Sequence, residues 1–239
     1  MGKYIPHSYS GRADNLVFVH TAEGTYMRSR PRKYKRTHAT KKAATVFGQA
    51  ASIGAVLRSS LLPGLSLDSY KGFQNRLTVA IASWLRSHGP GEEIKPGDQI
   101  PSLLEVEYNE KGRTIDSLWR INRIVRLAEP GVLEITIPAF NPVKDLSVAP
   151  GTTHVSFAVS AVSVTLHANE NGHAHFEWSF DYTDQHIDER IIRLEFPTPQ
   201  ASLLITAACL KCRAPRYGNL RQINPAIYGP ASIISAMYL

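Results

Sequence analysis

The sequence predicts an α+β fold: an N-terminal β-hairpin and helical hairpin, followed by an antiparallel, immunoglobulin-like β-sandwich. Three observations predict it. Apolar residues recur at helical spacing from residue 40 to residue 87. From residue 100 the apolar period becomes two, in short runs separated by turn residues. The 239-residue chain is 43% hydrophobic, which supports one large core or two small ones. The expected division is 1–91 for the basic hairpin and two-helix region, and 92–239 for the sandwich.

Residues 15–20 (NLVFVH) and 25–30 (TYMRSR) flank Thr21-Ala22-Glu23-Gly24, a hairpin with Gly24 supplying the turn. The first helix is expected over residues 40–60. Ala43, Phe47, Ala50, Gly54, Leu57 and Leu61 form its apolar stripe, widened by Val46, Ile53 and Val56. With almost no polar face beyond its first turn, it is expected to be buried in the core or at a subunit contact. Leu62-Pro63-Gly64 is expected to break it. The second helix starts near Ser66 or Asp68, both good N-caps. Tyr70, Phe73, Leu77, Ala80 and Trp84 form its stripe, and the SHGPG run at 87–91 ends it.

Strands follow. Leu104, Val106 and Tyr108 alternate with Glu105 and Glu107, and Leu133, Ile135 and Ile137 alternate with Glu134 and Thr136. Val155, Phe157, Val159 and Ala161 share one parity, whereas Val162, Val164, Leu166 and Ala168 share the other, so a β-bulge is expected at 161–162. Later strands are expected at 191–196, 202–210 and 232–239. Residues 203–210 are apolar on both parities, the mark of a central strand or of one whose outer face meets another body.

Charge carries the main functional signal. The net charge is +7. Residues 24–67 hold nine Lys or Arg and no Asp or Glu, eight of them at Arg28, Arg30, Arg32, Lys33, Lys35, Arg36, Lys41 and Lys42. Residues 1–67 sum to +9, residues 68–195 to −6 and residues 196–239 to +4. Such segregation suits a polyanion partner or an electrostatically guided protein contact. Basic side chains beside phosphates release counterions, and Tyr26, Tyr34 and His38 lie where they could stack on bases. No helix-turn-helix, zinc-finger, RNP or KH signature accompanies the cluster, so any nucleic-acid binding would be non-specific.

Other clusters read less strongly. If Val164, Leu166 and Ala168 share a face with Ala174, Phe176 and Trp178, the loop is Glu170-Asn171-Gly172. His167 then pairs with His175, and Asn169 with His173. His167, His173 and His175 would share one face as candidate metal ligands. The alternative is a His-rich solvent face. Cys209-Leu-Lys-Cys212 is a lone CxxC ending an apolar strand, so its thiols point to opposite faces and suit neither a zinc site nor a redox pair. Asp181, Asp184, Asp188 and Glu189 gather near His186 without calcium-loop spacing. GxGxxG, GxxxxGK[ST], GxSxG and HExxH are all absent. No enzymatic activity and no cofactor are expected. Residues 43–57 form an uncharged, mostly apolar run of fifteen residues at helical spacing, shorter than the about 20 a bilayer span needs. The first fifteen residues are polar, without the apolar stretch of a secretory leader. A cytoplasmic chain, or part of an intracellularly assembled particle, is expected.

Gly11-Arg12, the run Tyr26-Met-Arg-Ser-Arg-Pro31, the basic segment 33–42 entering a helix with Thr40 and Phe47, and the closing strand 232–238 together form a pattern. It resembles a family of uncharacterised proteins from Bacteroidota. The resemblance implies a bacterial source, a hairpin-plus-β layout and a role for the basic segment. It assigns no activity and no site, and the chain departs from the pattern over residues 213–228. The functional expectation is a non-enzymatic interaction protein that self-associates or docks in a larger assembly. The alternative is a non-specific, coat-like nucleic-acid binder using the 28–42 cluster.

Overall fold

The computed structural model describes residues 3–5, 8–21, 23–30, 35, 37–65, 72–87, 99–104, 106–108, 114–166, 170–197, 202–223 and 230–239. The chain divides into two compact units, Met1–Lys42 and Ala43–Leu239. The boundary expected at 91/92 falls outside the described residues.

The first unit is a four-stranded antiparallel meander: β1 (Lys3–Ile5), β2 (Ser8–Ala13), β3 (Leu16–Thr21) and β4 (Gly24–Ser29), in that order across the sheet. The expected hairpin is β3–β4, with Thr21 opposite Gly24. Gly24 has φ +137°, a conformation a side chain would strain. The strands β1 and β2 extend the sheet without any apolar alternation that announces them.

Helix α1 (His38–Leu65) is capped by Thr37, whose Oγ1 accepts from Thr40 N at 3.2 Å. It does not break at residues 62–64. Pro63 lies in the last turn, where the lost backbone bond interrupts little further helix. Nor is the helix buried all round, as its composition led us to expect. Ala50, Ile53, Gly54, Leu57, Leu61 and Leu65 are buried, but residues 38–45 are exposed and Phe47 is 51% exposed. Helix α2 (Phe73–Ser87) buries Phe73, Leu77, Ala80, Ile81 and Trp84, the stripe its spacing predicts. The helices meet closely at Gly54, where an added methyl would lie 3.4 Å from Thr78 Oγ1 and 3.7 Å from Ile81 Cδ1. Its expected start at Ser66 or Asp68 lies outside the described residues.

The expected strand at 104–108 is not formed. That stretch holds the helical turn α3 (Pro101–Leu104) and a single bridge from Glu107 to Ser232. Two more short turns are fixed by side-chain caps. Thr114 caps α4 (Ile115–Leu118), and the Asn141 amide oxygen accepts from Val143 N and Lys144 N at the head of α5 (Pro142–Asp145).

The remaining strands form two antiparallel sheets. One joins β5 (Ile124–Glu129), β6 (Val132–Ile137) and β9 (Arg190–Glu195) in that order. The other has five strands: β7 (His154–Thr165), β8 (Asn171–Asp181), β10 (Ser202–Arg216), β11 (Asn219–Gln222) and β12 (Ala231–Tyr238). Its order is β11-β10-β7-β8, with β12 also on β10.

The five-stranded sheet is apolar on both faces. One face packs on α1, α2 and α3 through Ala158, Val162, Val164, Leu203, Ile205 and Cys209. The other packs on the three-stranded sheet through Val155, Phe157, Val159, Ala161, Leu204 and Leu210. This corrects the expected bulge. Strand β7 keeps one unbroken register against β8 and β10 from His154 to Val164. Its change of apolar parity at 161–162 marks a shift in which face carries the larger side chains, because each face meets its own layer. The central position expected for residues 203–210 holds, since β10 pairs with β7 on one side and β12 on the other. Against β12, strand β10 shifts register between Thr206 and Ala207.

Candidate functional site

The first unit offers two unlike sheet faces. The register places Ala13, Leu16, Phe18, His20, Thr25, Met27 and Ser29 on one face. No Lys, Arg, Asp or Glu occurs among them. Arg12, Val17, Val19, Tyr26 and Arg28 lie on the other. No described side chain from residue 10 to residue 42 is buried, and Met27 and Tyr26 are 58% and 51% exposed.

Of the predicted basic residues, Arg28 is exposed on β4 beside Tyr26, and Arg30 follows the strand with its backbone N donating to Asn15 O at 2.7 Å. Lys35 is exposed. Lys41 and Lys42 are exposed in the opening turns of α1, whose first turn carries no acidic residue. Cations there oppose the partial positive charge of the helix N-terminus, a local cost that a bound anion would relieve. Arg32, Lys33 and Arg36, like Tyr34, lie outside the described residues.

The second unit carries a polar cluster on the helix-facing side of its large sheet. Across β8, β7 and β10 the register aligns Glu177 with Ala158 and Cys209, and Ser179 with Ser156 and Lys211. The small Ala158 and Ser156 let longer side chains meet over the middle strand. Glu177 Oε2 accepts from Lys211 Nζ at 2.8 Å, and Oε1 accepts from Arg213 at 2.7 Å. Lys211 is 2% exposed. Burial alone would raise the Glu177 pKa, but the hydrogen bond and charge of Lys211, with the charge of Arg213, hold it below the ordinary carboxylate value. Ser156 and Ser179 bond to each other at 2.6 Å, and His154 Nε2 lies 3.0 Å from Asp181 Oδ1.

Burial pushes the Cys209 thiol up to about 12, and its Sγ donates to Leu65 O at 3.6 Å. The thiol is therefore protonated and held, not a nucleophile. Cys212 lies on the opposite face, as the CxxC spacing predicts, and both cysteines are buried. With both carboxylate oxygens engaged, Glu177 ties β8 to β10 and is not free to act as a base.

The histidine pairing predicted from sequence is overturned. His175 faces Ser160 and His173 faces Val162, while Asn171 and Gly172 belong to β8 rather than to a loop. The apolar stripe Ala174, Phe176 and Trp178 packs toward the three-stranded sheet, so it shares a face with Phe157 and Val159, not with Val164. His173 and His175 share one face of β8, as expected; His167 lies outside the described residues. Among the described residues no group of three His, Cys, Asp or Glu is placed to hold a metal. Burial lowers the His175 pKa, and the charge of Lys211 lowers it further.

Two features escaped the sequence. Glu134 is 3% exposed on the outer side of the three-stranded sheet, clamped by Arg126 at 2.6 Å and Arg193 at 2.7 Å. The alternation Leu133-Glu134-Ile135 signals only an outward carboxylate; its burial depends on arginines from both neighbouring strands. A cavity of about 360 Å³ is lined by Arg123, Asp116, Glu107, Thr114 and Ser232. Arg123 pairs with Asp116 and lies 5.4 Å from the Trp119 ring centroid. No helix among the described residues is long and apolar enough to cross a membrane.

No family model, curated protein or solved structure matches this chain.

Proposed function

We propose that the protein is a non-enzymatic assembly subunit that self-associates or docks through its N-terminal unit. The observation that carries this reading is the lack of a buried core among this sheet's described side chains. Four regular strands are formed, yet none of the described side chains from residue 10 to residue 42 is buried. Sheets this small need an apolar face covered to be stable. Leu16, Phe18 and Met27 supply such a face. A neighbour that covers these residues would stabilise the unit. Size-exclusion chromatography with light scattering tests the reading: a mass of at least twice the chain's is expected at tens of micromolar. A monomer under those conditions defeats self-association.

A second reading has its own support. Arg12, Arg28 and Tyr26 share the opposite face, and the lysines at the head of α1 lack acidic company in its first turn. This face suits non-specific contact with a nucleic-acid backbone, with Tyr26 stacking on bases. Binding to single-stranded RNA or DNA at low salt should weaken steeply as salt rises, and charge reversal at Arg12 and Arg28 should flatten that slope. No binding at low salt removes this reading. For the second unit we keep an immunoglobulin-like sandwich as the proposed layout, supported by two antiparallel sheets sharing the core around Trp119.

A further inference from the structure

We infer that two copies of the chain join by antiparallel pairing of their β4 strands across a two-fold axis, centred on Met27. This rests on the assembly reading above and names its contact.

The outer edge of β4 sets the register. Arg30 N donates to Asn15 O, and the hairpin closes with Thr21 opposite Gly24. In an antiparallel ladder only alternate residues bond to a given neighbour. Gly24, Tyr26, Arg28 and Arg30 therefore turn their backbone groups toward β3. Thr25, Met27 and Ser29 turn their N–H and C=O groups to the open edge. Among the described residues no strand pairs with that edge.

A two-fold pairing must set each residue opposite one on the same sheet face, which leaves few registers. Centring on Met27 places all three outward residues in hydrogen-bonded pairs: Met27 with its copy, Thr25 with Ser29, and Ser29 with Thr25. On the basic face it sets Arg28 opposite Tyr26 of the second copy, a cation over an aromatic ring. Centring on Arg28 would place two arginines face to face, which is destabilising. Centring on Tyr26 would leave Ser29 opposite the turn. The strand is thus complementary to itself in one register, the requirement for an isologous contact.

Face area alone is too small for two copies to hold together by stacking. One face of the sheet covers roughly 350 Å², from strand spacing and rise per residue. Stacking two such faces falls well short of the roughly 800 Å² per partner typical of a stable interface. Edge pairing adds backbone hydrogen bonds and makes the uncharged faces of two copies continuous, roughly 700 Å² that a further layer could cover.

The test is cysteine cross-linking of the full chain. In Met27→Cys the paired Cα atoms would lie about 5.5 Å apart, within disulfide range. In Thr25→Cys the two cysteines would be about 13 Å apart and cannot bridge. Both native cysteines are buried and do not compete. Under mild oxidation Met27→Cys should run as a covalent dimer and Thr25→Cys should not. Met27→Pro removes an N–H that β3 does not use, and should weaken dimerisation by about tenfold or more. An assembly by light scattering whose Met27→Cys variant stays uncrosslinked overturns this contact and leaves the assembly reading standing. Cross-linking through Thr25→Cys instead overturns the register. A monomeric wild-type chain removes both.

Discussion

Replacing Glu177 by Gln should cost the second unit far more than replacing its partner Lys211 by Met. The two substitutions break the same ion pair from opposite ends. Glu177→Gln leaves the Lys211 ammonium, 3% exposed, and the Arg213 guanidinium, 31% exposed, facing each other without an anion. Removing one partner of a buried pair costs about 3–5 kcal/mol. Glu177 is itself 25% exposed and water reaches it, so we expect a smaller loss of about 2–3 kcal/mol. Lys211→Met keeps most of the side-chain volume, removes the buried cation and leaves Arg213 to neutralise Glu177. That exchange should fall within about 1 kcal/mol of wild type in either direction. Urea unfolding followed by tryptophan fluorescence reads both. With a slope of about 2–3 kcal/mol per molar, the Glu177→Gln midpoint should drop by about 1 M and the Lys211→Met midpoint should shift, up or down, by no more than about half that. If Lys211→Met is as damaging as Glu177→Gln, the unpaired-cation argument fails.

Three further outcomes follow from packing and titration. A methyl at Gly172 would run into the Pro197 carbonyl oxygen and lie 2.8 Å from Ser163 Oγ. Gly172→Ala should therefore cost about 2 kcal/mol or more, seen as a lower Tm, whereas Gly151→Ser, with open space but φ +82°, should lose only the smaller backbone penalty. The folded His175 pKa lies below its ordinary value, so the unfolded chain takes up the proton first as pH falls through about 6.5. Stability should decline from there toward acid, and His175→Asn should flatten the decline between about pH 5 and 7; an unchanged profile contradicts the assignment. Cys209, protonated and buried, should resist thiol reagents in the native chain and react only on unfolding; rapid native labelling at Cys209 would contradict its burial.

Much of the α+β architecture is legible in the sequence, because periodicity reports how side chains meet a core. The α2 stripe of Phe73, Leu77, Ala80 and Trp84, the strand at residues 132–137 and the two-sided strand at 202–210 all read correctly. The failures share a physical cause. Parity assigns a face only when one face is wet. Both faces of β7 are dry, one against helices and one against a second sheet, so Ala161-Val162 looked like a bulge in a strand that has none. The same assumption put Val164 on the face of Phe176 and shifted the β7–β8 register, which produced the His167–His175 pair. Helix α1 failed differently. Its composition is apolar around the circumference, but composition does not reveal which turns a neighbour covers within this chain. The strands β1 and β2 were invisible because their short sequences, KYI and SYSGRA, carry no apolar alternation. The ion-pair clusters at Glu177 and Glu134 depend on long-range strand order, which adjacent residues do not encode.

Solution mass of the intact chain bears most directly on the central claim, that the N-terminal sheet is completed by a neighbour. Light scattering on wild type and on Phe18→Asp/Met27→Asp, both on the uncharged face, decides it. The account predicts a wild-type mass of at least two chains that falls to one chain in the double variant, with the second unit's unfolding midpoint unchanged. A wild-type monomer, or an assembly indifferent to both aspartates, would contradict it.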